Sequence, residues 1–308
     1  MDATSMTTTA QPRVQHVYDF AQLDRVPDAP TSAQVTARRY VSGATLATAK
    51  SSTVGAALTG RHLIVGLMRM ERGTGSKAHT HPNEQFNYIL QGTMTWEVGK
   101  ETVFARRGEL MHTPAQAVHT GLACPDEDLM WFAMKDTRHG LAGPPVDGKY
   151  DGPAYLPGFG KRAGEPRKST AELIAESGRD TAGEKTRYIY DFAQLDDRKP
   201  GRVSSVAVTR QMIAADAGAS GSLVTGEMLH IARLAYPRGG TGCVHAHPNE
   251  QFTFVLEGAL RVEIDGEEFV VGRHGVVHVP PEAPHRLAAA GDDTVVITLQ
   301  NSQHPFAA

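Results

Sequence analysis

HTHPNEQFNYILQG at residues 79–92 and HAHPNEQFTFVLEG at residues 245–258 carry one pattern twice. Each block has two histidines in H-x-H spacing, then a glutamine, then a glycine. A further histidine follows in each half, His119 in PAQAVH (114–119) and His285 in PPEAPH (280–285). His79 and His245, His81 and His247, Gln85 and Gln251, and His119 and His285 are all separated by the same 166 residues. So strict a repeat implies two copies of one folding unit, each carrying the same cluster of side chains.

A second repeat lies outside the histidines. YDFAQLD occurs at 18–24 and again at 190–196. The chain therefore reads as duplicated whole units, expected at 15–136 and 187–304. At 308 residues it is long enough for two domains, each with its own core. A net charge of −3 gives no footprint for nucleic acid. Cys124 and Cys243 are too few for a disulfide framework and suit a reducing compartment. The first 30 residues have no basic start and no apolar core, and no apolar run reaches a membrane span. These features predict a cytoplasmic protein with no nucleic-acid or membrane partner.

The local patterns predict an all-β chain. Strands are expected at Leu63–Met70, Phe86–Leu90, Thr93–Val98, Leu110–Thr113 and Leu129–Met134 in the first half. Their counterparts are Leu229–Ala235, Phe252–Leu256, Ala259–Ile264, Val276–Val279 and Thr294–Leu299. Turns are expected at Gly99–Lys100 and at Asp265–Gly266, a strong hairpin signal. Residues 137–186 read as a Gly/Pro-rich linker. It contains a short helix in STAELIAES, with Ser169 as N-cap and Glu172 as its capping-box partner. The small-residue segments 42–60 and 214–226 read as loops.

Alternate residues on a strand share a face, so His79 and His81 project together, as do His245 and His247. The proline after each pair breaks the strand and lets the chain turn back with Gln85 or Gln251. His119 and His285 arrive from another hairpin. Three imidazoles and an amide oxygen suit a divalent ion such as zinc, nickel, manganese or iron, one per unit.

The arrangement resembles the cupin superfamily, whose first motif runs G-x5-H-x-H-x3-E-x6-G. Gly73, His79, His81, Gln85 and Gly92 fit it, as do Gly239, His245, His247, Gln251 and Gly258, with Gln in place of Glu both times. The second motif runs G-x5-P-x-G-x2-H-x3-N. Gly108, Pro114 and His119 fit, while Gln116 stands at the middle glycine and Ala123 at the asparagine. In the second half Pro280 and His285 fit, but His274 stands at the first glycine. The resemblance implies two jelly-roll β-barrels in tandem, a bicupin, with the metal ligands pointing into each barrel.

A neutral Gln leaves the ion a stronger Lewis acid than a carboxylate would, which favours an anionic or chelating substrate. The expected activity is enolate chemistry, as an isomerase, lyase or cyclase, on a small hydroxy-carbonyl, dicarbonyl or sugar-acid-like molecule. The resemblance leaves two alternatives. One is an iron-dependent dioxygenase that cleaves an aromatic ring or a diketone. The other is a non-catalytic metal- or ligand-binding protein. The chain is also read as able to form a homodimer.

Other residues carry two readings each. His112 and His278 are acid/base groups facing the cavity or edge histidines on the outer surface. Arg69 and Arg233 pair with an anionic substrate or are surface or interface arginines. Glu84 and Glu250 read as outward-facing carboxylates rather than general bases, because neighbours on a strand point to opposite faces. Cys243 reads as a buried inert thiol, and Tyr88, Phe254 and Trp96 as barrel core.

Overall fold

The computed structural model describes residues 15–20, 29–30, 35–41, 51–141, 143–144, 146, 168–177, 188–195, 201–203, 206–209 and 218–307. Two jelly-roll barrels follow one another, each an eight-stranded sheet closed over a three-stranded one. In the N-terminal barrel the large sheet centres on Leu63–Met70, Leu129–Asp136 and Gln85–Gln91, and the small sheet holds His119–Ala123, Thr93–Val98 and Glu101–Arg106. The C-terminal barrel repeats this with Leu229–Tyr236, Thr294–Asn301 and Gln251–Glu257 against Glu267–Gly272, Ala259–Ile264 and His285–Ala289.

Each strand expected from the pattern forms, with ends moved by up to two residues. Asp265 and Gly266 both take positive φ, 50° and 80°, the conformation that a two-residue hairpin needs. The helix Thr170–Ser177 carries its expected capping box: the Glu172 amide donates to Ser169 Oγ at 3.2 Å, and the Ser169 amide donates to Glu172 Oε2 at 2.6 Å. Most of the linker around it lies outside the described residues.

Two of the expected loops are partly strands. Val54–Thr59 and Ser220–Thr225 run antiparallel to Leu63–Met70 and Leu229–Tyr236. Their small residues answer to close packing, not to turning. A Cβ on Gly55 would sit 2.1 Å from the Leu67 carbonyl oxygen, and one on Gly221 would sit 1.9 Å from that of Arg233. Residues 42–50 and 214–217 lie outside the described part.

The two halves exchange their first strands. Val17–Asp19 pairs with Gly275–Val279 of the C-terminal barrel, and Ile189–Asp191 pairs with Glu109–Thr113 of the N-terminal one. Each half thus lends one short strand to the sheet of the other. The repeated heptapeptide supplies the side chains buried by the exchange. Tyr18, Phe20, Tyr190 and Phe192 are all buried in one apolar core built from both halves. Phe132 and Phe254 stack there at 4.3 Å, and Phe20 meets both rings at 6.3 Å. Tyr88 and Phe254 belong to this shared core, not to a barrel lumen, because they sit on the outer face of their sheets. Trp96 does line the N-terminal lumen. Each barrel has its own inner core as well, so the central strands are buried on both faces.

Candidate metal centres

His79 and His81 lie on the extended segment that leads into Gln85–Gln91, and Pro82 ends its pairing. The backbones of His79 and His119 bond each other both ways at 3.0 Å, and His245 and His285 do the same at 2.9 and 2.8 Å. These bridges, one per barrel, bring the third histidine to the first two. Ring centroids are 4.1, 4.7 and 5.9 Å apart in the first trio and 4.3, 4.8 and 5.9 Å apart in the second. In each trio the ligand-capable atoms lie within 4.8 Å of one another, a spread that one ion can draw together.

The protonation of these rings follows from their partners. Every Nδ1 meets a backbone carbonyl, which can only accept. His79, His81 and His119 donate to Lys77, Asn83 and Ala117 at 2.8, 3.1 and 2.8 Å. His245, His247 and His285 donate to Cys243, Asn249 and Ala283 at 3.1, 2.9 and 2.9 Å. The Nδ1–H tautomer leaves Nε2 with its lone pair. Nε2 of His119, His245 and His285 is buried with no hydrogen-bond partner. Burial pushes His81 down to about 3 and His285 down to about 4, and lowers His119 and His247 as well, so these four imidazoles are neutral near pH 7. Neutral rings with converging lone pairs are what a divalent cation requires.

Gln85 completes the first cluster. Its amide nitrogen donates to Asn87 Oδ1 at 3.0 Å, which turns Oε1 toward His81 Nε2 at 3.2 Å. Two acceptors facing each other at that distance suit two ligands of one ion. Gln251 donates to Thr253 in the same way, but its Oε1 accepts from Gln300 Nε2 at 2.6 Å.

Lys135 was not singled out in the sequence. It is buried at 4% exposure beside the first trio, its Nζ 3.0 Å from His81 Nε2 and donating to the Leu141 carbonyl at 2.6 Å. Burial brings its amine down to about 7, against a smaller opposing pull from Asp136. Lys135 stands opposite Gln85 in the sheet, and Gln300 stands opposite Gln251. At this place the two sites differ, lysine against glutamine.

The lumens differ too. The first cavity measures about 90 Å³ and is lined by Met68, Met70, Met94, Trp96 and Trp131 around His79, Gln85, Asn87 and Lys135. The second measures about 10 Å³, room for roughly one water. Leu287 and Tyr236 fill it. Gly121 stands where Leu287 does, because a Cβ there would meet the Trp96 ring at 2.8 Å.

The weaker candidates lie elsewhere. Glu84 and Glu250 do face away from the imidazoles, but they are about 1% exposed rather than outward in water. Each crosses to the other barrel. Glu250 accepts from the amides of Arg61, His62 and Leu63 at 2.8, 2.6 and 3.1 Å, and Glu84 accepts from those of Glu227 and Met228 at 2.9 and 2.7 Å. His112 and His278 are neither in the cavity nor on the outer surface. They bond these carboxylates at 2.8 and 2.9 Å. Burial alone would raise the Glu250 carboxyl, but the bonds from His278 and the amides outweigh it and hold it below its ordinary value. Arg69 is exposed, and Arg233 hydrogen-bonds the Tyr88 hydroxyl in a groove between the barrels. Neither arginine lines a histidine site. Cys243 is exposed rather than buried, at the rim of the second site.

At the positions of the second motif's glycines the backbone keeps its left-handed turn. Gln116, His274 and Glu282 have φ of 64°, 65° and 64°, so the turn survives the loss of the residue that takes it most easily.

Comparison with known proteins agrees with this architecture. The cupin domain model matches residues 66–135 and 232–299, one match per barrel. The structure of AerE from Microcystis aeruginosa superposes with a TM-score of 0.54 at 12% identity, covering 89% of this chain and 96% of that one. A deletion mutant of Bacillus subtilis oxalate decarboxylase superposes at 0.56 and 14%, covering 95% and 77%. The formate complex of Lactobacillus farciminis oxalate decarboxylase gives 0.55 and 13%, covering 96% and 88%. Among curated sequences, an uncharacterized protein of Methanocaldococcus jannaschii is 29% identical over 63 residues, 20% of this chain. The chain spans about half the length of that relative. Among the described residues no helix is long and apolar enough to cross a membrane. One cupin domain thus lies in each half of the chain, with a histidine trio inside each barrel.

Proposed function

We propose that this bicupin is a divalent-metal-dependent enzyme whose N-terminal barrel converts a small oxygenated molecule by redox-neutral chemistry beside a carbonyl group, as an isomerase, lyase or cyclase. One observation carries the reading: tautomer-fixed imidazoles aim Nε2 lone pairs at a common point, and several of these atoms are buried without a hydrogen-bond partner. His79, His81 and His119 with Gln85 would hold an ion in the first barrel, and His245, His247 and His285 would hold one in the second. A bound divalent ion supplies Lewis acidity that stabilises negative charge on a substrate oxygen.

The chain's own residues set what happens around it. All the ligands are neutral, so the ion's charge is not reduced by the protein. Met68, Met94, Trp96 and Trp131 give the cavity an apolar wall and leave about 90 Å³ for a compact substrate. The second barrel has no such room, and there the ion would serve the fold. The oxalate decarboxylases that share the architecture, one of them named for its Mn(II) centres, support a divalent ion.

Metal analysis of the purified protein tests the reading first. It should find close to two ions per chain, falling by one with His79→Ala and by one with His245→Ala. Turnover should then proceed without dioxygen once zinc, nickel or manganese is restored. Metal content unchanged by both substitutions would overturn the site, and activity that demands iron and dioxygen would overturn the reaction class.

A further inference from the structure

The two barrels are a natural controlled comparison. Their histidine trios match, yet one carries Lys135 where the other carries Gln300. Gln300 is fully engaged within the protein, bonding Gln251 and both the amide and carbonyl of Ala307. Gln300 Nε2 also lies 3.4 Å from His247 Nε2, and Lys135 makes the matching contacts with an amine in place of the neutral amide. Its neighbours are the Leu141 carbonyl and the lone pair of His81 Nε2. That lone pair cannot serve a cation and an ammonium hydrogen together. Once His81 is committed to an ion, Nζ keeps the Leu141 carbonyl as an acceptor and has a further hydrogen to donate into the cavity.

Charge makes the same demand. Among the described residues no aspartate or glutamate lines the first cavity. Asp136 follows Lys135 in the chain but points away, accepting from the Glu84 amide at 2.7 Å and from the Arg138 guanidinium at 2.9 Å. A dication on neutral ligands, with an amine donor beside it, favours an anionic ligand, and among the described residues the cavity wall supplies none. Buried charge of one sign needs a partner, and an anionic ligand brings it.

We propose that the N-terminal barrel binds a small oxygenated carboxylate, a hydroxy or keto acid, whose carboxylate is received by Lys135, and that Gln300 denies this ligand to the C-terminal barrel. The inference rests on the metal reading above and narrows its substrate to an anion. Lys135 is thereby a specificity-determining residue rather than part of the metal's ligand set. The size of the cavity agrees, since about 90 Å³ has room for a compact acid where about 10 Å³ holds roughly one water.

The test uses glycolate and glycolamide, equal in heavy atoms and different by one charge. Each is titrated calorimetrically into the full-length, metal-loaded protein, with metal content measured on the same samples. The parent should bind one glycolate per chain and prefer it over glycolamide. Lys135→Gln should weaken glycolate by about 10- to 100-fold, the worth of one charged hydrogen bond. Glycolamide binding should change by less than about 3-fold, and metal content should stay constant. Glutamine is already accommodated at this place by the sister barrel, and Lys135→Met, which keeps the apolar stem, provides a second variant with the same expectation. Equal glycolate affinity in parent and both variants would overturn the carboxylate assignment while leaving the metal reading intact. Glycolate binding that survives His79→Ala and is lost with His245→Ala would overturn the choice of barrel. A parent without divalent metal would instead bring down the metal reading itself.

Discussion

Replacing Glu250 with alanine tests what holds the two barrels together. Its carboxylate lies at the end of one barrel and accepts three consecutive amides of the other, those of Arg61, His62 and Leu63, as well as His278 Nε2. Hydrogen bonds to an ionised acceptor are worth about 1.5–3 kcal/mol each. Four of them do not simply add, because water enters the space left by the side chain and resolvates part of what was stripped. The better guide is the loss of one partner from a buried charged pair, about 3–5 kcal/mol. At this chain length each kcal/mol moves the melting temperature by about 2 °C, so the expected fall is roughly 6–10 °C. Urea unfolding followed by circular dichroism, alongside a thermal scan, measures both quantities. Glu84 provides the internal comparison, since it accepts two amides of the opposite barrel where Glu250 accepts three. Glu84→Ala should therefore cost less than Glu250→Ala by about 1–2 kcal/mol. A Glu250→Ala protein within about 1 kcal/mol of the parent would refute the clamp, with that bound set by ordinary surface substitutions. The opposite ranking of the two variants would refute the bond counting.

Gly60→Ala should destabilise by about 1–3 kcal/mol in the same unfolding assay, because its Cβ would meet the Glu250 carboxylate at 2.2 Å and that group is held in place by its amides. Glu282→Gly should stabilise by about 1 kcal/mol: the residue sits at φ 64°, and only its backbone amide bonds His247. Gly121→Leu should destabilise the N-terminal barrel by at least about 1–3 kcal/mol, since the new side chain meets Trp96. Adding Trp96→Val, the combination that Leu287 and Val262 already use, should recover much of that loss and shrink the cavity, as measured by weaker glycolate binding.

The duplication made much of this molecule legible. Apolar runs such as LIVGLMRM mark strands buried on both faces, and the H-x-H pair with its distant third histidine marks a cluster that one backbone bridge then assembles. Less legible was anything that depends on how the halves meet. The alternation rule turned Glu84 and Glu250 correctly away from the imidazoles, but a sheet's outer face is solvent only if nothing packs on it. The repeated YDFAQLD announced a second copy without saying that each copy serves the other barrel, because a short strand's partner is set by tertiary packing and not by its own residues.

The difference between the two sites was hidden for a sharper reason. The loop between the last two strands is one residue shorter in the second half, CPDED against AGDD, so the constant separation of 166 fails beyond it. Aligned at that separation, Lys135 falls on Asn301, whose side chain faces the opposite side of the strand and accepts the Glu250 amide at 2.7 Å. A slip of one residue on a strand exchanges its two faces. Only the register of the sheet restores Gln300 as the counterpart of Lys135, and with it the reason to expect two metal sites of different chemistry in one duplicated chain.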